Sequence, residues 1–204
     1  MADKVLIGIP IPSQQKIPSH LALALRNVRG NFEVKVERDL PGEDFKGDRI
    51  YRITKARERI RQYFLSGNYS HLLFIDSDID FPPETLEVLL SANADVVYHS
   101  YLAHAGYPGI GGIIRTGLGC TLIKRKVLEK CDFITGIEEE GNDAKHRGED
   151  FLFKEKVENA SFSILVLENR LQLKHLQYDI DYFWKIFANR KQDREAVFGR
   201  NCNS

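Results

Sequence analysis

Short apolar runs alternate with stretches of helical period through the first hundred residues, and that alternation limits the chain to few folds. Val5 to Ile9 is apolar and largely β-branched and ends at Pro10 and Pro12, which predicts a first strand buried on both faces. Ser19 can cap a helix carrying Leu23, Leu25 and Val28. Phe32 to Val36 reads as a second strand, and residues 40–48, rich in Gly and Asp, as a loop. From Ile53 the apolar positions Ile53, Ala56, Ile60, Tyr63 and Phe64 recur near the helical period until Gly67. Leu72 to Ile75 is the next strand. Pro83 suits the first turn of a helix that stops near Asn93, and Val96-Val97 opens a further strand. Such alternation predicts an α/β domain around a mostly parallel sheet flanked by helices.

Beyond Tyr101 the pattern changes. Glycines crowd between Gly106 and Gly119, a short helix is expected near Lys124 to Lys130, and residues 136–148 read as a polar loop. A helix from Glu149, a strand over Ser163 to Leu167 and an aromatic C-terminal helix complete the expectation. At 204 residues one domain can bury a sizeable core. Basic and acidic side chains balance at 29 each, so net charge gives no reason to expect nucleic acid as a partner. Cys120, Cys131 and Cys202 are odd in number and form no close pair, which argues for reduced thiols rather than a disulfide framework. No apolar run approaches a membrane span and the N-terminus carries no signal-peptide pattern, so a cytoplasmic location is expected.

Three carboxylates, Asp76, Asp78 and Asp80, follow directly on the apolar strand Leu72-Leu73-Phe74-Ile75. Carboxylates this close repel unless solvent, a cation or protonation relieves them. Ligands of open α/β sheets bind at the carboxyl ends of the strands, where hard oxygen donors suit Mg²⁺ or Mn²⁺. An EF-hand would share the spacing of Asp76, Asp78, Asp80 and Glu87. It needs Gly where this chain has Phe81, and a helix where this chain has a strand. Downstream, Glu149 and Asp150 open a helix whose Phe151, Leu152, Phe153 and Val157 are available for burial; the pair can serve as a cap or, ionised, as a base.

The order and spacing of "VLIGIPIP", "KARERIRQYFLSGNYSHLLFIDSDIDFPPETLEVLL", "GLGCTLIKRKVLEK", "GEDFLF" and "LKHLQ" resemble nucleotide-sugar-dependent glycosyltransferases of the GT-A fold, family-2 type. The small size resembles compact members such as those of archaeal viruses, which would place a viral chain in host cytoplasm. The resemblance implies one GT-A domain over residues 1–178, with a nucleotide-binding half (1–100) and an acceptor and catalytic half (101–178), followed by a C-terminal helix and tail (179–204). Asp76-Ser77-Asp78 matches the D-x-D motif, with Asp76 near ribose and metal and Asp78 a direct metal ligand. Arg57 matches an arginine that reaches the nucleotide. Gly117 and Gly119 match a G-x-G that precedes a helix and lies beside the donor sugar. Asp150 matches the base of the ED motif, with Glu149 helping to shape the acceptor site. His175 matches a C-terminal histidine that completes the metal shell. Pro10, Pro12 and Ser13 match the strand end that meets the nucleotide, and Asp39 an aspartate that contacts the base.

The implied reaction is metal-dependent sugar transfer from a nucleoside-diphosphate sugar to a hydroxyl of a glycan, protein or lipid-linked acceptor, inverting, with Mn²⁺ or Mg²⁺ as cofactor. The segment "GIEEEGNDAKHRG" could close over the donor. A sugar-nucleotide nucleotidyltransferase would share the sheet and the carboxylates, but "IPIPSQQKIPS" lacks its glycine-rich phosphate loop. A noncatalytic protein retaining the fold is the other alternative. Asn159-Ala160-Ser161 replaces the Gly that ends the ED helix in many relatives, which loosens the register of His175. Ile180, Phe183, Trp184 and Phe187 form an apolar stripe that would pack on the domain or a second copy, or meet a membrane surface.

Overall fold

β1 (Val5–Ile11) is buried along its whole length. The computed structural model describes residues 3–40, 49–102, 113–114, 116–134, 136–140, 143–168 and 170–175; the predicted C-terminal helix, Cys202 and most of the glycine-rich stretch lie outside them. After β1 come α1 (Ser19–Asn27), β2 (Phe32–Arg38), α2 (Arg49–Ser66), β3 (His71–Ile75), β4 (Ile79–Asp80), α3 (Thr85–Ser91) and β5 (Val96–His99). β6 (Tyr101–Leu102), β7 (Ile113–Ile114), β8 (Cys120–Lys124) and α4 (Arg125–Leu128) follow. β9 (Gly136–Glu140), β10 (Asp143–Arg147), α5 (Glu149–Asn159), β11 (Ile164–Leu167) and β12 (Lys174–His175) close the order.

Six strands form the main sheet in the order β11-β5-β8-β3-β1-β2. β8 runs antiparallel to both neighbours, and every other pairing is parallel. Strand pleating sends alternate residues to opposite faces, and both faces carry a helix layer. Val5, Ile7, Ile9, Leu73 and Val97 pack with Leu21 of α1 and with Leu86 and Leu89 of α3. Leu6, Leu72, Phe74, Val96 and Tyr98 pack with Ile60 and Phe64 of α2, Val127 of α4, and Phe153 and Val157 of α5. The expected α/β sheet flanked by helices is therefore the observed one.

Two local expectations are corrected. Ser19 is the first helical residue of α1, not its cap; Pro18 takes the cap position and makes no side-chain capping bond. Residues 136–148 are not a loop throughout, because β9 and β10 pair as an antiparallel hairpin, from Asp143 opposite Glu140 to Arg147 opposite Gly136. Among the described residues no helix is long and apolar enough to cross a membrane.

The topology fixes where a site can form. From β1 the chain turns to β2 on one side, and β3 lies on the other, so β1 and β3 diverge at a switch point that opens a crevice at their carboxyl ends. Gly8 lies level with Phe74 across the β1–β3 ladder, so the segments after Pro10 and after Ile75 leave the sheet side by side. Gly8 also lets α2 sit close, since a Cβ there would fall 2.5 Å from Cγ2 of Ile60.

Candidate active site

The crevice is an open cleft of about 430 Å³ lined by Pro10, Ile11, Pro12, Asp39, Ile53, Ala56, Asp76, Ser77 and Asp78. Six of the residues singled out in the sequence thus line one space: Pro10, Pro12, Asp39, Asp76, Ser77 and Asp78. Each arrives by a different local rule. Pro10 and Pro12 end β1; Pro10 is within the strand, and neither has an N–H to leave unpaired. Asp39 follows β2, where its N–H donates to Ile11 O at 3.1 Å and its Oδ1 accepts the Ser13 N–H at 2.5 Å. Arg38 braces the same turn, donating from Nη1 to Ser13 O and Gln15 O at 3.2 and 2.6 Å. Ile53 and Ala56 come from α2 and were read in the sequence only as core positions.

Asp76 ends β3. Its N–H donates to Gly119 O and its carbonyl accepts the Ile79 N–H, both at 3.0 Å, closing the turn that carries Ser77 and Asp78. A Cβ on Gly119 would lie 2.8 Å from Tyr101 Cζ and 3.1 Å from Asp76 Oδ2, so this position admits only hydrogen beside the aspartate. Gly117 shapes the same turn through its carbonyl, which accepts the Thr121 hydroxyl at 2.9 Å. The helix that follows the G-x-G is α4, which starts after Lys124; β8 lies between them.

Beneath the cleft, Arg57 joins the two acidic motifs. It is 2% exposed on the inner face of α2, with its guanidinium over the Phe74 ring at 5.9 Å from the centroid. Nη2 donates to Asp76 Oδ1 at 2.7 Å, and Nη1 donates to Asp150 Oδ1 at 3.1 Å and to Glu149 Oε1. The other oxygen of Asp150 accepts the Leu118 N–H at 3.3 Å. α5 delivers Glu149 and Asp150 in its first turn, and an aromatic stack fixes that helix: Phe153 on Phe133 at 4.5 Å, and Phe133 edge-on to Phe74 at 5.3 Å. Asp150 keeps 40% of its side chain exposed while Glu149 keeps 7%.

Three carboxylates around one guanidinium set unequal ionisations. Burial raises Glu149 from 4.5 to about 7, against the pull of Arg57 and with help from Asp150. Burial also raises Asp76; Arg57 opposes the rise, and the charges of Asp78 and Asp150 add to it. Burial works against the charge of Arg57, but Asp76, Glu149 and Asp150 outweigh it, so the guanidinium stays protonated.

Asp76 and Asp78 face the same cleft as hard oxygen donors, and the upward push of Asp78 on Asp76 is the repulsion a bound cation would relieve. Among the described residues no group of three His, Cys, Asp or Glu could hold a metal by itself. Two carboxylates fit Mg²⁺ or Mn²⁺ provided that ligand oxygens complete the shell. β12 pairs with β4 so that His175 lies opposite Ile79, one residue past Asp78; the structure describes only the backbone of His175.

No family model and no curated protein sequence matches the chain. Solved structures do. A197 from STIV is 21% identical over 85% of this chain and 86% of its own length, with a TM-score of 0.54. S. aureus TarS 1-349 in complex with UDP-GlcNAc is 15% identical over 89% of this chain and 60% of its own, with a TM-score of 0.59. Glucosyl-3-phosphoglycerate synthase from Mycobacterium tuberculosis, in complex with Mn²⁺, UDP and phosphoglyceric acid, is 12% identical over 89% of this chain and 74% of its own, with a TM-score of 0.53. The chain therefore spans nearly all of A197 but about three fifths of TarS 1-349. The fold shared with these proteins is GT-A-like.

Proposed function

We propose that this chain is a metal-dependent glycosyltransferase that moves a sugar, of the hexosyl class, from a nucleoside-diphosphate donor to an acceptor hydroxyl with inversion. The observation that supports it is the meeting of two acidic motifs on one guanidinium: Asp76-Ser77-Asp78 after β3, which lines the crevice, and Glu149-Asp150 of α5 are joined through Arg57 on a GT-A-like sheet. TarS binds UDP-GlcNAc and the mycobacterial synthase binds UDP with Mn²⁺ on the same fold.

In this reading the wall of Pro10, Pro12 and Asp39 receives the nucleoside, and Asp76 and Asp78 stand where the diphosphate arrives. A divalent ion held by Asp76 and Asp78, with His175 as a further ligand, would stabilise the negative charge that grows on the leaving diphosphate. Gly119, without a Cβ, leaves room for the sugar beside Asp76. Asp150 accepts the proton of the acceptor hydroxyl as its oxygen bonds to the anomeric carbon and the bond to the diphosphate breaks. Its exposure leaves a face open to an acceptor, and the Leu118 N–H and Arg57 hold its two oxygens in a fixed plane. The buried Glu149 shapes the floor of that acceptor side. The acceptor would be a glycan, a protein or a lipid-linked sugar.

The test has two steps. A panel of nucleoside diphosphates and their sugars, with and without Mn²⁺, is read by thermal shift, because a ligand that binds only the native state adds about 2.7 kcal/mol at a hundredfold excess over Kd. Asp150→Asn is then compared with wild type on the best donor. Asn keeps the shape and an acceptor oxygen but takes no proton, so transfer should fall about 10²- to 10⁴-fold with donor affinity retained. Transfer at near wild-type rate by Asp150→Asn removes the base from the scheme, and a panel without stabilising nucleotides removes the scheme itself.

A further inference from the structure

We infer that Arg57 is a positioning residue that locks the base to the donor-side aspartate, and not a ligand of the nucleotide. This assignment rests on the glycosyltransferase reading for its consequence in catalysis, though not for its geometry. Arg57 is 2% exposed and is not part of the cleft wall, where Ala56 and Ile53 of the same helix stand instead. Both of its terminal nitrogens are committed, Nη2 to Asp76 and Nη1 to Glu149 and Asp150.

What the bridge spans gives it its role. Asp76 is fixed by β3 and by its backbone bond to Gly119 O. Asp150 belongs to α5, a different element, and its carboxylate accepts from the Leu118 N–H on one oxygen and from Arg57 Nη1 on the other. A planar guanidinium presents two nitrogens in a rigid fork, so one side chain can hold an oxygen of Asp76 and an oxygen of Asp150 at a set separation. Lysine presents one ammonium point and cannot span both. Removing the fork would free the plane of Asp150 while leaving the Pro10 to Asp78 cleft intact.

The experiment uses Arg57→Lys in the full chain, with Arg57→Gln/Glu149→Gln as a second variant. The pair removes the fork together with the buried carboxyl it meets and keeps polar groups of similar shape at both positions, which provides a second reading if the lysine variant fails to fold. Three quantities are read: hydrogen exchange at the Leu118 amide without ligand, affinity for UDP with Mn²⁺, and kcat and KM on the sugar nucleotide that wild type uses best. Expected are exchange at Leu118 about tenfold faster, as befits weakening of one hydrogen bond, and UDP affinity within about threefold of wild type. kcat should fall about 10²-fold, the scale of a misplaced catalytic group, with KM little changed. In an Asp150→Asn background the same change should cost little more in kcat, because Arg57 acts through Asp150. Unchanged Leu118 exchange, or UDP binding weakened tenfold or more with kcat preserved, would overturn the assignment. If wild type transfers no sugar, the glycosyltransferase reading fails, and ligand-free exchange at Leu118 still decides whether Arg57 holds Asp150.

Discussion

Glu149→Gln should make the protein more stable at neutral pH, a direction opposite to the usual loss of a buried ion-pair partner. Glu149 has a 7% exposed side chain and a carboxyl raised by burial from 4.5 to about 7. Between those values the folded carboxyl keeps a proton that the unfolded one has released, so folding takes up a proton and stability falls as pH rises through the window. At about 1.36 kcal/mol per pH unit, the span from 4.5 to about 7 amounts to about 3 kcal/mol, complete above pH 7. Glutamine retains a carbonyl oxygen for Arg57 Nη1 and does not titrate. Below about pH 4.5 the two proteins should unfold at similar denaturant concentrations. At pH 8 the variant should be the more stable, by up to about 3 kcal/mol, which for a chain of this size is roughly 6–12 °C in Tm. Urea unfolding at half-unit steps from pH 4.5 to 8 without divalent metal, wild type beside variant, measures the difference directly. Parallel curves would show that Glu149 does not titrate in this range. A variant less stable at pH 8 would show that its charge is worth more paired with Arg57 than burial costs.

Asp78→Ala should abolish the dependence of UDP binding on Mn²⁺ while leaving the melting temperature of the ligand-free protein close to wild type, since Asp78 is only half-buried; isothermal titration with and without metal reads this, and retained dependence would exclude Asp78 as a ligand. Gly119→Ala should lower stability by about 1–3 kcal/mol through overpacking and weaken donor binding as well, because the new Cβ meets Tyr101 Cζ at 2.8 Å and Asp76 Oδ2 at 3.1 Å. Unchanged melting and donor affinity would mean that Tyr101 yields freely.

The strands that carry the cleft were legible because they are short and apolar and end abruptly: Val5 to Ile9 at Pro10, Leu72 to Ile75 at Asp76. β8 was not, although it is buried at the centre of the sheet between β3 and β5. Cys120 to Ile123 runs into Arg125 to Leu128 with no Gly, Pro or Asn between them, so no turn signal marks where a strand ends and a helix begins, and each apolar piece is too short to show its period. The β9–β10 hairpin escaped for the opposite reason. Glu138-Glu139-Glu140 and Asp143 offer no apolar alternation, and pairing there is carried by backbone bonds that leave no trace in side-chain pattern.

Arg57 shows how a site residue can be named by resemblance while its surroundings stay hidden in the sequence. As a sequence feature it sits in "KARER", among charged residues that suggest a solvated helix face. Yet Arg57, Ile60 and Phe64 are spaced at i, i+3 and i+7, the stripe a helix turns inward, and all three are buried. A cation on that stripe must meet buried anions, since an isolated charge there would be prohibitively costly. The chain supplies them from two distant places, Asp76 at 19 residues and Asp150 at 93. The spacing could have predicted that Arg57 needs carboxylate partners; only the fold, which brings the end of β3 and the start of α5 to the same guanidinium, could say which ones.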